Sequence, residues 1–210
     1  MTLSLHDALA GLPLVAILRG VKPEEVEAIG AALVEAGFRC IEVPLNSPRP
    51  FDSIRRLADR FGREALIGAG TVLKREDVAR VQASGGNLIV MPHADVEVIA
   101  EAKRLNLVCA PGAATPTEAF AALKAGADAV KIFPAEAIPP AVVKAWRAVV
   151  PAAVPLIAVG GITPDRMAAY RDAGTTGFGL GSALYKPGMT AAEIAATAAS
   201  FAQAWLALKG

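Results

Sequence analysis

The chain is poor in the residues that mark secreted, membrane-bound or nucleic-acid-binding proteins. It has two cysteines and two histidines in 210 residues. Cys40 and Cys109 each stand in an apolar run, as buried thiols of a reducing compartment do, so no disulfide framework is expected. His6 and His93, with those two cysteines, make no metal-ligand cluster. Neither sign of charge is in excess: 21 Lys and Arg face 20 Asp and Glu, a formal net charge of +1. Overall basicity therefore gives no sign of nucleic acid or an anionic membrane as partner, although a locally basic pocket for a small anion stays open. No run of about eighteen uninterrupted apolar residues is present, which argues against a transmembrane span. No basic segment precedes a long apolar run at the start, so no signal peptide is expected. Aromatic residues make up 5% of the chain, and Phe201, Trp146 and Trp205 fit helix packing or a subunit face better than a base-stacking platform. Together these absences predict a cytoplasmic enzyme.

What the chain has is apolar residues, 54% of the total. Its mass is 21.6 kDa, for which area scaling gives roughly 9,200 Å² of folded surface against roughly 31,000 Å² unfolded, enough for one sizeable core. One domain over residues 1–210 is the simplest organisation.

Short apolar runs alternate with alanine-rich amphipathic segments. Candidate strands are Leu14–Leu18, Arg39–Val43, Leu66–Ala69, Leu88–Met91, Leu107–Ala110, Ala129–Phe133, Leu156–Val159 and Gly177–Leu180. Their starts recur every 19 to 27 residues, the length of a strand plus a crossover helix. They are too apolar to have one wet face. Helices are punctuated by Lys22-Pro23-Glu24 and Gly37, by Thr115-Pro116-Thr117-Glu118 and Gly126, by Thr163-Pro164-Asp165 and Gly174, and by the capping-box pair Thr190 and Glu193. Ala135–Pro140 reads as a loop. Eight strand–helix units predict a closed α/β fold, the (β/α)8 TIM barrel. A doubly wound open sheet is the competitor, but Leu18-Arg19-Gly20-Val21 at the first strand–helix junction carries no dinucleotide fingerprint, and no phosphate loop of the Walker type occurs.

Two residues break the strand pattern. Lys131 stands mid-strand in Val130-Lys131-Ile132, where a lysine is seldom buried without a reason. Low dielectric lowers its pKa and yields a neutral amine able to attack a carbonyl. Glu42, in Ile41-Glu42-Val43, alternates away from its neighbours, so that Ile41 and Val43 pack under helices while Glu42 points into the barrel. The two form either a purely structural ion pair or an acid/base beside a nucleophile. Arg19, Asn46, Ser47 and Thr71 follow strands one, two and three on the carboxyl-end rim where barrel sites form. Arg19 suits a carboxylate or phosphate or a surface ion pair. Thr71, Asn46 and Ser47 suit either substrate oxygens or turn capping. Gly160 and Gly161 end strand seven, and Gly181 and Ser182 end strand eight. Backbone amides there can approach a phosphate closely, and tight packing is the other reading. His93 reads as a loop or helix-start residue.

An amine, a carboxyl group and a phosphate cradle fit attack of Lys131 on the ketone of a phosphorylated 2-keto acid. The resulting imine is the electron sink for cleavage of the bond between carbons 3 and 4, with Glu42 moving protons and Arg19 holding the carboxylate. At this level the sequence resembles the KDPG/KHG aldolase family. The resemblance rests on Leu14-Val15-Ala16-Ile17-Leu18-Arg19-Gly20, Ile41-Glu42-Val43-Pro44-Leu45-Asn46-Ser47-Pro48, Ile67-Gly68-Ala69-Gly70-Thr71-Val72, Cys109-Ala110-Pro111-Gly112, Val130-Lys131-Ile132-Phe133-Pro134-Ala135-Glu136 and Gly177-Phe178-Gly179-Leu180-Gly181-Ser182-Ala183-Leu184-Tyr185. It implies a class I aldolase, a homotrimer, with Lys131 as the Schiff-base lysine and Glu42 as the proton-transfer residue. Arg19 and Thr71 would lie in the substrate site, and Gly160, Gly161 and Ser182 by the phosphate. It implies no metal and no cofactor, because the covalent lysine imine replaces them. Pro44-Leu45-Asn46-Ser47 lacks the arginine that gluconate-type members carry and is similar to the galactonate-type branch. That implies cleavage of 2-dehydro-3-deoxy-6-phospho-D-galactonate to pyruvate and D-glyceraldehyde 3-phosphate, with the gluconate isomer or dual specificity as the alternative. A phosphosugar isomerase or synthase on the same barrel, and a non-catalytic binding barrel, are the readings from other classes.

Overall fold

A computed structural model describes residues 3–208. Branched aliphatic residues favour the pleated, covered surface of a sheet, and the short apolar runs form its strands. These are β1 Leu14–Ile17, β2 Cys40–Pro44, β3 Leu66–Gly70, β4 Leu88–Val90, β5 Val108–Ala110, β6 Gly112–Ala113, β7 Val130–Ile132, β8 Leu156–Val159 and β9 Gly177–Leu180. The helices are α1 Leu5–Ala10, α2 Val26–Glu35, α3 Pro50–Phe61, α4 Arg75–Ala83, α5 Val96–Arg104, α6 Pro116–Lys124, α7 Pro140–Arg147, α8 Met167–Asp172 and α9 Ala191–Ala207. Every strand pairing is parallel, in the order β5-β4-β3-β2-β1-β9-β8-β7-β6.

The two ends of that order, β5 and β6, are one pass of the chain split at Pro111. A proline has no N–H to give a ladder. Before it, Val108–Ala110 pair with β4; after it, Gly112 and Ala113 pair with β7. The barrel thus has the eight passes expected from the sequence in nine strand segments, and chain continuity closes it. The bend brings Gly112 so near the β4–α5 connection that a Cβ there would lie 2.4 Å from the Pro92 carbonyl oxygen. The Pro111 carbonyl accepts the Lys131 N–H at 2.8 Å, which fixes the height of Lys131 in the barrel.

Two expectations about helices are corrected. Lys22-Pro23-Glu24 does not begin a helix: the Glu25 N–H bonds the Lys22 carbonyl in a preceding turn, and α2 starts at Val26. Ala135–Ala137 is a 3-10 turn rather than irregular loop. The capping boxes Thr115/Glu118 and Thr190/Glu193 form with both reciprocal bonds, and Pro164–Arg166 opens α8 through a 3-10 turn.

Strand alternation divides the core into two layers. Ile41, Val43, Ile67, Ile89, Val130 and Ala158 pack outward beneath the helices, where Trp146 and Phe201 are also buried. Phe178 meets Trp205 edge-on, with centroids 6.2 Å apart. Val15, Ile17, Cys40, Leu88, Ile157 and Val159 fill the interior, and Leu5 and Ala8 of α1 join them. α1 thereby plugs the amino end of the barrel and leaves the carboxyl end for a site.

Candidate active site

Glu42 and Lys131 both belong to the interior set. Period-two alternation puts Glu42 on the face of Cys40, and Lys131 on the face of Ala129. Both are buried, at 1% and 6% exposure, and both line the apolar interior with Val15, Ile17, Val90 and Ile157. No hydrogen bond or ion pair joins them among the described residues, and Glu42 Oε2 has no partner. A pair retained for structure would be expected to close that gap, because an unpartnered buried carboxylate is costly. Burial pushes the Glu42 carboxyl up to about 7, against the pull of Lys131 and Arg19. Burial also lowers the Lys131 amine, against Glu42 and with Arg19. Burial therefore works against the charged form of each group, moving the carboxyl up and the amine down toward one another.

Gly70, at the end of β3, makes room for the carboxylate. A Cβ there would lie 1.9 Å from Glu42 Oε2. The next residue, Thr71, has a left-handed backbone with φ of 55°, a conformation that strains a β-branched side chain by about 1–3 kcal/mol and gathers at functional sites. Its hydroxyl accepts from Arg19 Nη2 at 3.3 Å, while Arg19 Nη1 donates to Asn46 Oδ1 at 2.7 Å. The structure thus brings Arg19, Asn46 and Thr71 together from three strand ends. Both partners of the guanidinium are neutral, so its charge stays available to an anion. Ser47 lies alongside and accepts the Gly20 N–H at 2.9 Å.

Above Lys131 the barrel opens into a cleft of about 510 Å³ lined by Arg19, Lys131, Phe133, Gly161, Gly181 and Ser182, with Gly160 beside them. Gly160 and Gly161 have positive φ, 114° and 59°. Their missing side chains also leave room for Glu136, whose Oε2 would lie 2.1 Å from a Cβ on Gly160, so close packing is one reason for glycine there. Gly181 differs, since a Cβ would meet nothing within 4 Å. Gly181 is among the residues that line the cleft.

Sequence reasoning missed three residues here. Phe133 lies with its ring 4.6 Å from Lys131 Nζ, and extending the alternation by one step from Lys131 would have found it. Glu136 reaches the Gly160–Gly161 turn from the 3-10 segment, and no periodic signal marks it. Gly70 passes for a turn residue until Glu42 is seen beside it. His93 stays outside, exposed before α5 and 3.9 Å from Asp95. Cys40 lies in the interior with its thiol pushed up to about 12 by burial, too high for a nucleophile. Among the described residues no group of three or more His, Cys, Asp or Glu side chains is arranged to hold a metal ion.

Residues 5–199 match the family KDPG and KHG aldolase. The chain is 48% identical over 194 residues to a 2-dehydro-3-deoxy-6-phosphogalactonate aldolase of Escherichia coli, covering 92% of this chain and 95% of that one. It is 46% identical to a probable 2-dehydro-3-deoxy-6-phosphogalactonate aldolase of Rhizobium meliloti, covering 94% and 93%. A solved structure of native KDPGal superposes with a TM-score of 0.93 at 47% identity, covering 94% of this chain and 96% of that one. The chain belongs to the KDPG and KHG aldolase family and is an aldolase, a carbon–carbon lyase built on a (β/α)8 barrel.

Proposed function

We propose that the enzyme cleaves 2-dehydro-3-deoxy-6-phospho-D-galactonate reversibly to pyruvate and D-glyceraldehyde 3-phosphate through a Schiff base on Lys131. The observation that carries the chemistry is the buried, mutually unbonded Glu42 and Lys131, both pushed toward neutrality beneath a cleft edged by Arg19. The substrate reading is supported by the two relatives at 46–48% identity, and by the resemblance of Pro44-Leu45-Asn46-Ser47 to the galactonate-type branch.

Neutral Lys131 Nζ attacks carbon 2 of the keto acid, and loss of water leaves an iminium. The carbon 4 hydroxyl gives its proton to the Glu42 carboxylate as the bond between carbons 3 and 4 breaks. That bonding pair moves toward the iminium nitrogen, giving the aldehyde and an enamine. Glu42 returns the proton to carbon 3, and water releases pyruvate. A carboxyl group titrating near 7 serves in both directions. Arg19, positioned by Asn46 and Thr71, holds the substrate carboxylate. The amides of Gly160, Gly161, Gly181 and Ser182 receive the phosphate. The iminium supplies the electron sink, so the scheme requires neither a metal nor a cofactor. A homotrimer in the cytoplasm completes the proposal. It draws on the family for the assembly and on the two free thiols for the compartment. No helix among the described residues is long and apolar enough to cross a membrane.

Borohydride reduction in the presence of pyruvate, followed by peptide mass spectrometry, tests the scheme. The expected product is a reduced pyruvyl adduct on Lys131, absent from Lys131→Met. An adduct on another lysine, or none on folded protein, would reject it. Turnover of the two phosphorylated keto acids epimeric at carbon 4 then tests the galactonate preference.

A further inference from the structure

We propose that Tyr185, acting through Glu25, is a positioning residue that sets the span between the carboxylate end and the phosphate end of the substrate site. The inference rests on the Schiff-base reading above. Tyr185 is buried, at 2% exposure, and its hydroxyl donates to Glu25 Oε1 at 3.0 Å across 160 residues of sequence. The same carboxylate oxygen accepts the backbone N–H of Lys22 at 3.1 Å, in the connection from β1 to α2 that also carries Arg19. Tyr185 itself closes the turn that follows β9: its N–H bonds the Gly181 carbonyl at 2.9 Å, and the Leu184 N–H bonds the same oxygen at 2.8 Å. One side-chain hydrogen bond thus ties the turn bearing Gly181 and Ser182 to the loop bearing Arg19.

A second contact supports the same junction. Pro187 packs against Gly20 so closely that a Cβ at Gly20 would lie 2.8 Å from Pro187 Cγ. Gly20, at φ of 85°, is next to Arg19. Burial and the neighbouring carboxylate raise the Tyr185 phenol above its ordinary range, so it remains a donor throughout the pH range of an enzyme working near neutrality. The hydroxyl of Tyr185 does not line the cleft, and its effect on substrate passes through the backbone it holds.

The test separates the phosphate end from the chemistry. Exchange of the pyruvate methyl protons with deuterated water uses Lys131, Glu42 and Arg19 and no phosphate. In Tyr185→Phe the KM for the phosphorylated substrate is expected to rise about 5- to 10-fold, the size expected for one lost hydrogen bond, with kcat changed less than about twofold. Inhibition by inorganic phosphate, which touches one end alone, and pyruvate exchange, which touches the other, should both stay near the parent values, because only a substrate that bridges the two ends reads the span. Glu25→Gln keeps an acceptor oxygen and is expected to retain nearly the parent KM, whereas Glu25→Ala reproduces the Tyr185→Phe split. An unchanged KM in Tyr185→Phe, or an equal loss in pyruvate exchange, would overturn the proposal. Parent enzyme that neither exchanges pyruvate nor is trapped by it overturns the Schiff-base reading first, and this inference with it.

Discussion

Glu42 shows how one residue trades stability for chemistry. Its carboxyl titrates at about 7 in the folded protein against 4.5 as a free side chain. The folded state therefore holds a proton that the unfolded chain releases between those values. The associated stability is fully present below pH about 4.5 and is lost as pH rises through about 7. Lys131 runs the other way: its folded pKa is lowered, so its contribution is present above the unfolded value and is lost as pH falls through the folded one. Comparing Glu42→Gln with the parent isolates the carboxylate. Urea denaturation is expected to find the variant more stable by roughly 2–3 kcal/mol at pH 8 and nearly equal at pH 4. The same variant should lose about 10²- to 10⁴-fold in kcat, the range for a missing acid/base group. Equal stability at pH 8 would mean that Glu42 is solvated rather than held in a dry interior. Its inward direction was legible from alternation alone. Its unpartnered Oε2, and the glycine at position 70 that admits it, were not, because both depend on what the neighbouring strand places opposite.

At the scale of elements, local chemistry was read well where the signal was local. The Thr115 and Thr190 capping boxes need only residues three apart, and both form. The start of α2 was misplaced because Lys22 and Glu25 make a turn first, with the Glu25 carboxylate engaged by the Lys22 N–H and the Tyr185 hydroxyl. The split at Pro111 was missed for a similar reason. The proline is plain in the sequence, but which neighbour each half pairs with follows from closure of the barrel. α1 had no counterpart in the sequence reading, since its six residues are too few for a periodic pattern. Its function in the fold is specific: Leu5 meets the interior set from below. Leu5→Ala is expected to cost about 2 kcal/mol, at the low end for a buried leucine because Leu5 sits at the rim. Thermal or urea unfolding checks the figure, and no measurable loss would show that α1 is not a structural plug.

For the whole molecule, the folded surface is 9126 Å², close to the roughly 9,200 Å² that scaling gives for one compact chain of this mass. Exposed apolar side chains nevertheless remain on the outer helices, among them Phe120 of α6 and Val142 of α7, at 44% and 39% exposure. Such residues are available to an interface. Sedimentation equilibrium is expected to give three copies of the 21.6 kDa chain. A mass that stays monomeric across micromolar concentrations would remove the trimer from the proposal.

Segment-level patterns were enough for the strand–helix alternation, the inward direction of Glu42, the Thr115 and Thr190 capping boxes, and the rim position of Arg19, Asn46 and Thr71. Each follows from a period or a spacing within one segment. The expected galactonate preference came from motif resemblance, since configuration at carbon 4 leaves no trace in periodicity. The assembled barrel alone fixes that Glu42 and Lys131 line one apolar interior without bonding, that Arg19 is held by two neutral partners, and that Tyr185 reaches Glu25. Those relations join residues distant in the chain. Their distances are set by the closure and stagger of the barrel, which no single segment encodes.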